Sequence, residues 1–188
     1  MYKISIGSNI IKGPWGGGNQ FAVNLIDFLE KNNWEILDNL REKNIDFVLL
    51  TEPRITSQTS KFNQRDIAKY IFHNPYTIVF HRINECDERK GTKGVNKYLM
   101  RANQVADQTI FISRFLMELF EKQGYMKNKD YCFVRNGADS KIFNRIDKKR
   151  WDKKEPVRIV THHWGYSHNK GFDIYFYLDK LKKINEFE

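Results

Sequence analysis

Ile45-Asp46-Phe47-Val48-Leu49-Leu50 is a nearly continuous apolar run, closed by Thr51-Glu52-Pro53. A strand with one wet face alternates apolar and polar residues. A run that is apolar on both faces belongs in the middle of a parallel sheet with helices on each side. Outward from this run the pattern repeats. Residues 2–6 predict a first strand, Trp34-Glu35-Ile36 a short second one, and residues 76–80 (YTIVF), 108–112 (QTIFI) and 130–134 later ones. Helical segments lie between them. Over residues 21–31, Phe21, Leu25, Phe28 and Leu29 share one side; residues 66–72 end in the turn Asn74-Pro75; residues 92–105 follow. Residues 115–123 then have Ser113 as a cap and Gly124 as a stop. This alternation predicts an α/β fold with an open, mostly parallel, Rossmann-like sheet.

Beyond the turn Asn136-Gly137, residues 145–155 are polar and charged, with Lys148-Lys149-Arg150 and Lys153-Lys154, and read as a linker. Residues 157–161 then predict a new strand and residues 172–184 a new amphipathic helix. The organisation expected is one domain over residues 1–144, a linker over 145–155 and the incomplete start of a second domain over 156–188. A hydrophobic content of 40% and an aromatic content of 14% exclude a disordered chain. The net charge of +9 favours an anionic partner: nucleotide, phosphate, nucleic acid or an acidic membrane. Cys86 and Cys132 have no ligand cluster around them and read as reduced thiols. The opening residues are too short an apolar run for a signal peptide, and no stretch spans a bilayer, so the expected location is the cytoplasm, with peripheral contact at the inner face of a membrane left open.

Two segments carry candidate chemistry. Gly13-Pro14-Trp15-Gly16-Gly17-Gly18-Asn19 lies between the first strand and first helix. Its glycines let backbone approach a bound group closely, and free N–H groups at a helix start favour an anion. The spacing is neither G-x-G-x-x-G, with no fitting acid after the next strand, nor a P-loop. The second segment, His81-Arg82-Ile83-Asn84-Glu85-Cys86-Asp87-Glu88-Arg89-Lys90, reads as a charged loop after a strand, at the end where such sheets keep their chemistry. His81, Glu85, Asp87 and Glu88 are candidate bases toward a hydroxyl, and Arg82, Arg89 and Lys90 candidate holders of an anion. His162 and His163 are adjacent and lack the further ligands of a zinc site. Asp87 and Glu88 lack the paired Asp-x-Asp that would support magnesium, so no metal is expected.

Four elements together resemble the retaining glycosyltransferases of family 4, which have the two-domain GT-B fold. They are Gly16-Gly17-Gly18; Ala106-Asp107-Gln108-Thr109-Ile110-Phe111-Ile112-Ser113; Val134-Arg135-Asn136-Gly137-Ala138-Asp139-Ser140-Lys141-Ile142-Phe143; and Gly165-Tyr166-Ser167-His168-Asn169-Lys170-Gly171-Phe172. The resemblance implies an acceptor-side Rossmann-like domain followed by the start of a nucleotide-sugar-binding domain. It implies sugar transfer from a nucleotide-sugar to a hydroxyl of a sugar or lipid-linked sugar, with retention, in cell-surface polysaccharide assembly. No cofactor beyond the donor substrate is implied. Gly16, Gly17, Gly18 and Lys170 are then the donor-binding candidates, His81 and Asp87 the catalytic ones, and Asn19, Arg82, Glu85 and Glu88 the substrate-binding ones. Trp164 stands near the place where many relatives carry a phosphate-binding arginine.

Two other readings compete, and a third, a nicotinamide-dependent oxidoreductase, lacks the glycine spacing and the ribose-binding acid it would need. A truncated acceptor domain would bind without turning over. A basic module with Lys148-Lys149-Arg150 beside Trp151 would bind nucleic acid, although a charged linker explains those residues more simply.

Overall fold

The computed structural model describes residues 1–13, 15–127, 129–155, 160 and 170–183. Among them, six strands form one open, all-parallel sheet: β1 (Lys3–Ile6), β2 (Glu35–Leu37), β3 (Phe47–Leu50), β4 (Ile78–Ile83), β5 (Gln108–Phe111) and β6 (Asp130–Phe133), in the order β2-β1-β3-β4-β5-β6. The helices are α1 (Gly16–Lys31), α2 (Gln64–His73), α3 (Asp87–Lys90), α4 (Val95–Ala102), α5 (Arg114–Lys122) and α6 (Phe172–Lys183), with a 3-10 turn over Asn103–Val105. By contacts the chain divides into two compact units, Met1–Gly137 and Ala138–Glu188. The first holds the whole sheet and α1 to α5.

The apolar run of β3 is buried from both sides, as its composition requires. Phe47 and Leu49 face the layer of α1, packed with Ile4, Ile6, Phe80 and the α1 residues Phe21, Leu25, Ile26 and Leu29. Val48 and Leu50 face the opposite layer, where Ile67 and Tyr70 of α2 and Val105 close over them. Further along that second layer, Leu99 and Met100 of α4 and Leu116 and Phe120 of α5 pack on Ile83 and Phe111. Burying each such side chain stabilises the fold by about 1.5–3 kcal/mol before conformational entropy is set against it.

Local signals set the helix ends. Asn63 and Asp66 form a reciprocal capping box, which starts α2 at Gln64, two residues before the predicted segment. The Ser113 hydroxyl accepts from Leu116 N–H and caps α5. Gly124, at φ +74°, takes the left-handed conformation that ends it.

Four expectations are corrected. α1 begins at Gly16, so the three glycines form its first turn instead of a loop ahead of it. Phe28, expected on the buried side of α1, is 62% exposed, while Ala22 and Leu29 are buried. β4 does not stop at Phe80; it runs on through His81, Arg82 and Ile83, and the charged loop is reduced to Asn84-Glu85-Cys86 ahead of α3. An acid does follow the second strand: Asp38 comes directly after β2, where it pairs with Lys61 at 2.9 Å. The strand expected over residues 157–161 lies outside the described residues except for Val160, which is exposed. Residues 145–155 are exposed, as a charged segment should be.

Candidate functional site

A sheet in this order has a switch point. From β1 the chain passes through α1 to β2 on one side, then crosses to β3 on the other. In open sheets of this order the connections diverge at such a point, here outside the carboxyl ends of β1 and β3, and that is where a crevice forms. α1 starts at this crevice. No side chain caps its first turn and no acidic residue stands in it. Its leading N–H groups therefore present partial positive charge to whatever occupies the crevice. Gly16 enters at φ +79°, a conformation that costs little only for glycine. A Cβ at Gly17 would meet nothing within 4 Å, and one at Gly18 would meet only Asn84 Nδ2, at 3.5 Å. Asn19, a substrate-binding candidate, is turned to another task. Its Oδ1 accepts from Ile11 N–H at 2.9 Å and its Nδ2 donates to Ile11 C=O at 3.0 Å, which clasps the connection ahead of the helix. Beside α1, a cleft at the ends of β1 and β2 is lined by Ser8, Asn9, Ile10, Asp38, Asn39 and Lys61.

Strand alternation decides where the charged residues of β4 point. Phe80 lies in the apolar layer under α1. Arg82, two residues on, lies under α1 as well: its guanidinium carbon is 3.7 Å from the centroid of the Phe21 ring. Asn84, two further on, reaches the first turn of α1 at Gly18. The row thus leads from core to crevice. Arg82 is only 4% exposed, and its Nη2 donates to Asn136 Oδ1 at 3.0 Å. Burial pushes its pKa down to about 10.

His81 points to the opposite face and is fully buried. Its Nδ1 lies 2.8 Å from Asn103 Oδ1. Asn103 in turn exchanges bonds with Thr109, its Nδ2 donating at 2.8 Å and its Oδ1 accepting at 3.0 Å. An acceptor oxygen opposite Nδ1 puts the imidazole proton there and leaves Nε2 as a buried acceptor without a partner among the described residues. Burial pushes the His81 pKa down to about 4. The ring is a neutral part of the second layer, away from the glycine turn.

The acids of the β4–α3 connection are also engaged. Glu85 is buried and bridges Arg54 Nη2 at 2.5 Å and Lys90 Nζ. Arg54 meets Glu52 through Nε and Nη2, both at 2.7 Å. This four-residue network stands at the carboxyl ends of β3 and β4, with Tyr98 OH donating to Pro53 C=O beside it. Burial, with the nearby Arg54 charge, holds the Lys90 ammonium below its ordinary value. Asp87 caps α4. Its carboxylate accepts from Thr92 Oγ1 and from the N–H groups of Gly94, Val95 and Asn96, at 2.9–3.1 Å. Burial opposes its ionisation, but the bonds from Asn96, Val95, Thr92 and Gly94 outweigh it and hold the carboxyl below its ordinary value. Glu88 accepts from Asn96 Nδ2 and Gln123 Nε2, tying α3 to α4 and α5.

Of the candidates in the first unit, Gly16, Gly17 and Gly18 form the first turn of α1, Arg82 lies under Phe21 of the same helix, and Glu85 belongs to the ion-pair network at the ends of β3 and β4. Glu52, Arg54 and Asn84 join them without having been given a role, as does Asn136 from the third motif. Glu52 and Arg54 follow the strand that decides the fold, and their position past its carboxyl end was the signal available. Lys170, in the second unit, is exposed two residues ahead of the start of α6. The same unit has a hollow lined by Arg145, Lys148, Lys149 and Arg150. Trp151 Nε1 donates to Glu155 C=O at 2.8 Å. His162, His163 and Trp164 lie outside the described residues. Among the described residues no group of three or more His, Cys, Asp or Glu is placed to hold a metal, and no helix is long and apolar enough to cross a membrane. No protein-family model matches the chain, and no curated protein matches it.

Proposed function

We propose that the first unit is the acceptor-side domain of a retaining GT-B glycosyltransferase, which moves a sugar from a nucleotide-sugar to an acceptor hydroxyl in cell-surface glycan assembly. The observation that carries this reading is the uncapped glycine turn of α1 at the switch point of the sheet. A nucleotide-sugar brings a diphosphate, and helix N–H groups without a competing acid suit it. Two of the four motifs support the reading: Gly16 to Gly18 open the helix, and Asn136 accepts from Arg82, which lies under Phe21 of that helix.

The engaged state of the acids bears on the chemistry. Asp87 and Glu88 are held by helix and side-chain donors, and Glu85 by two cations. Recruiting any of them as a base would break those bonds. In the step we propose, the bond from the anomeric carbon to the diphosphate breaks, and its electron pair stays on the phosphate oxygen. The acceptor oxygen forms its bond on the same face. Its proton passes to the departing phosphate oxygen, and helix dipoles and basic side chains stabilise the remaining negative charge. The basic surface suits a phosphate-bearing or membrane-associated acceptor.

Equilibrium dialysis against a panel of labelled nucleotide-sugars tests the reading. The expected result is retention of at least one nucleotide-sugar over its parent nucleoside at the same ionic strength. Equal partitioning of every nucleotide-sugar and its nucleoside would overturn it.

A further inference from the structure

Arg82 is the one described side chain under α1 whose chemistry the fold does not explain. A charged group is costly to remove from water unless it is paired. Arg82 is 4% exposed. Among the described residues no carboxylate lies within ion-pair distance of it, and its one hydrogen bond is to the neutral amide of Asn136. The face of Phe21 stabilises the cation further but neutralises nothing. Other buried or half-buried cations of this unit are arranged differently: Arg54 has Glu52 and Glu85, and Lys90 has Glu85.

We propose that Arg82, with Asn84 and the glycine turn of α1, forms an anion subsite that takes a phosphate group of the substrate as the missing counter-charge. Position, geometry and orientation all support it. Arg82 lies between Phe80 and Asn84 on the strand row that leads to Gly18, and its guanidinium sits against Phe21 of the same helix. A guanidinium offers a planar fork that matches two phosphate oxygens, which a lysine cannot do. Asn136 takes one N–H through a neutral acceptor, which fixes the orientation of the fork without cancelling its charge. Phosphate binding by Arg82 and by the α1 N–H groups reinforces itself, since both contribute positive potential at one crevice. The subsite deepens the transferase reading and rests on it for the identity of the substrate. The phosphate can belong to the donor diphosphate or to a phosphorylated acceptor.

Calorimetric titration of the full chain with inorganic pyrophosphate, a nucleoside diphosphate and a sugar monophosphate tests the subsite, on the wild type and two variants. Arg82→Met removes the fork. Asn136→Asp leaves Arg82 in place and supplies an internal carboxylate that competes for it. Both are expected to weaken phosphate binding by about 10-fold or more, the usual worth of a charge-assisted fork. Asn136→Asp is also expected to raise the thermal midpoint, a gain that accompanies loss of binding only if the cation had been waiting for an anion. Arg82-dependent binding of pyrophosphate and nucleoside diphosphate supports the subsite and assigns it to the donor. Arg82-dependent binding of the sugar monophosphate alone supports it and assigns it to the acceptor. Equal phosphate affinity in all three proteins, or no phosphate binding by the wild type, overturns it. Retention of a nucleotide-sugar equally by all three proteins removes the subsite and leaves the transferase reading standing. Arg82-dependent phosphate binding with no nucleotide-sugar retained does the reverse.

Discussion

Two side chains singled out for catalysis have structural work that can be measured. His81 is neutral in the fold because burial pushes its pKa from 6.5 down to about 4. Between those values the unfolded chain binds a proton that the folded chain does not, so stability must fall as the pH drops from 6.5 toward 4 and is fully present above 6.5. The penalty reaches on the order of 3 kcal/mol at the acid end of that window. His81→Gln removes the titration and should flatten this limb of stability against pH in urea titrations. A parallel loss in both proteins would contradict the assignment. Asp87 has the same sign in a more acid window. Its folded pKa is depressed, so its contribution is present above the unfolded value of 3.8 and is lost as the pH falls through the folded one. Asp87→Ala should destabilise by about 1–2 kcal/mol at neutral pH, as a lost cap does. Chemical denaturation measures it; no loss would mean that the four bonds to Asp87 are not made in solution.

Elements show where sequence patterns succeed and where they stop. The parallel sheet was legible because β3 and β5 carry apolar residues on both faces, and the start of α5 because Ser113 caps it locally; the Asn63 cap of α2 was not read. β4 was read three residues short because His81 and Arg82 look like loop residues. Both are buried, one in a side-chain network and the other beneath an aromatic ring, and neither partner is near in sequence. For the same reason the pairing of Glu85 with Arg54 and of Arg82 with Asn136 could not be read along the chain. The glycine segment was read as a loop, whereas it is the first turn of α1. That difference makes a prediction. Gly17 has no positive φ and open space at its Cβ, so Gly17→Ala should stabilise α1 by about 0.5 kcal/mol while lowering nucleotide-sugar retention. Gly16→Ala, at φ +79°, should cost about 1 kcal/mol. Thermal melts and the dialysis assay read both; stabilised Gly17→Ala with unchanged retention would place the ligand elsewhere.

At the scale of the whole molecule, one unit holds every described strand and all three apolar clusters. A fragment of residues 1–137 should therefore unfold cooperatively, with a midpoint within a few degrees of the main transition of the full chain. A broad, non-cooperative melt of the fragment would show that the sheet depends on residues 138–188. The function proposed for that unit is located at one end of the sheet, and location is its sharpest test. The measurement is amide chemical-shift mapping of the full chain during titration with the nucleotide-sugar that dialysis retains best. Saturable shifts at Gly16, Gly17, Gly18, Phe21 and Asn84 are predicted. Saturable shifts confined to the amino ends of the strands, around Tyr2, Asn44 and Tyr76, would contradict the proposed site.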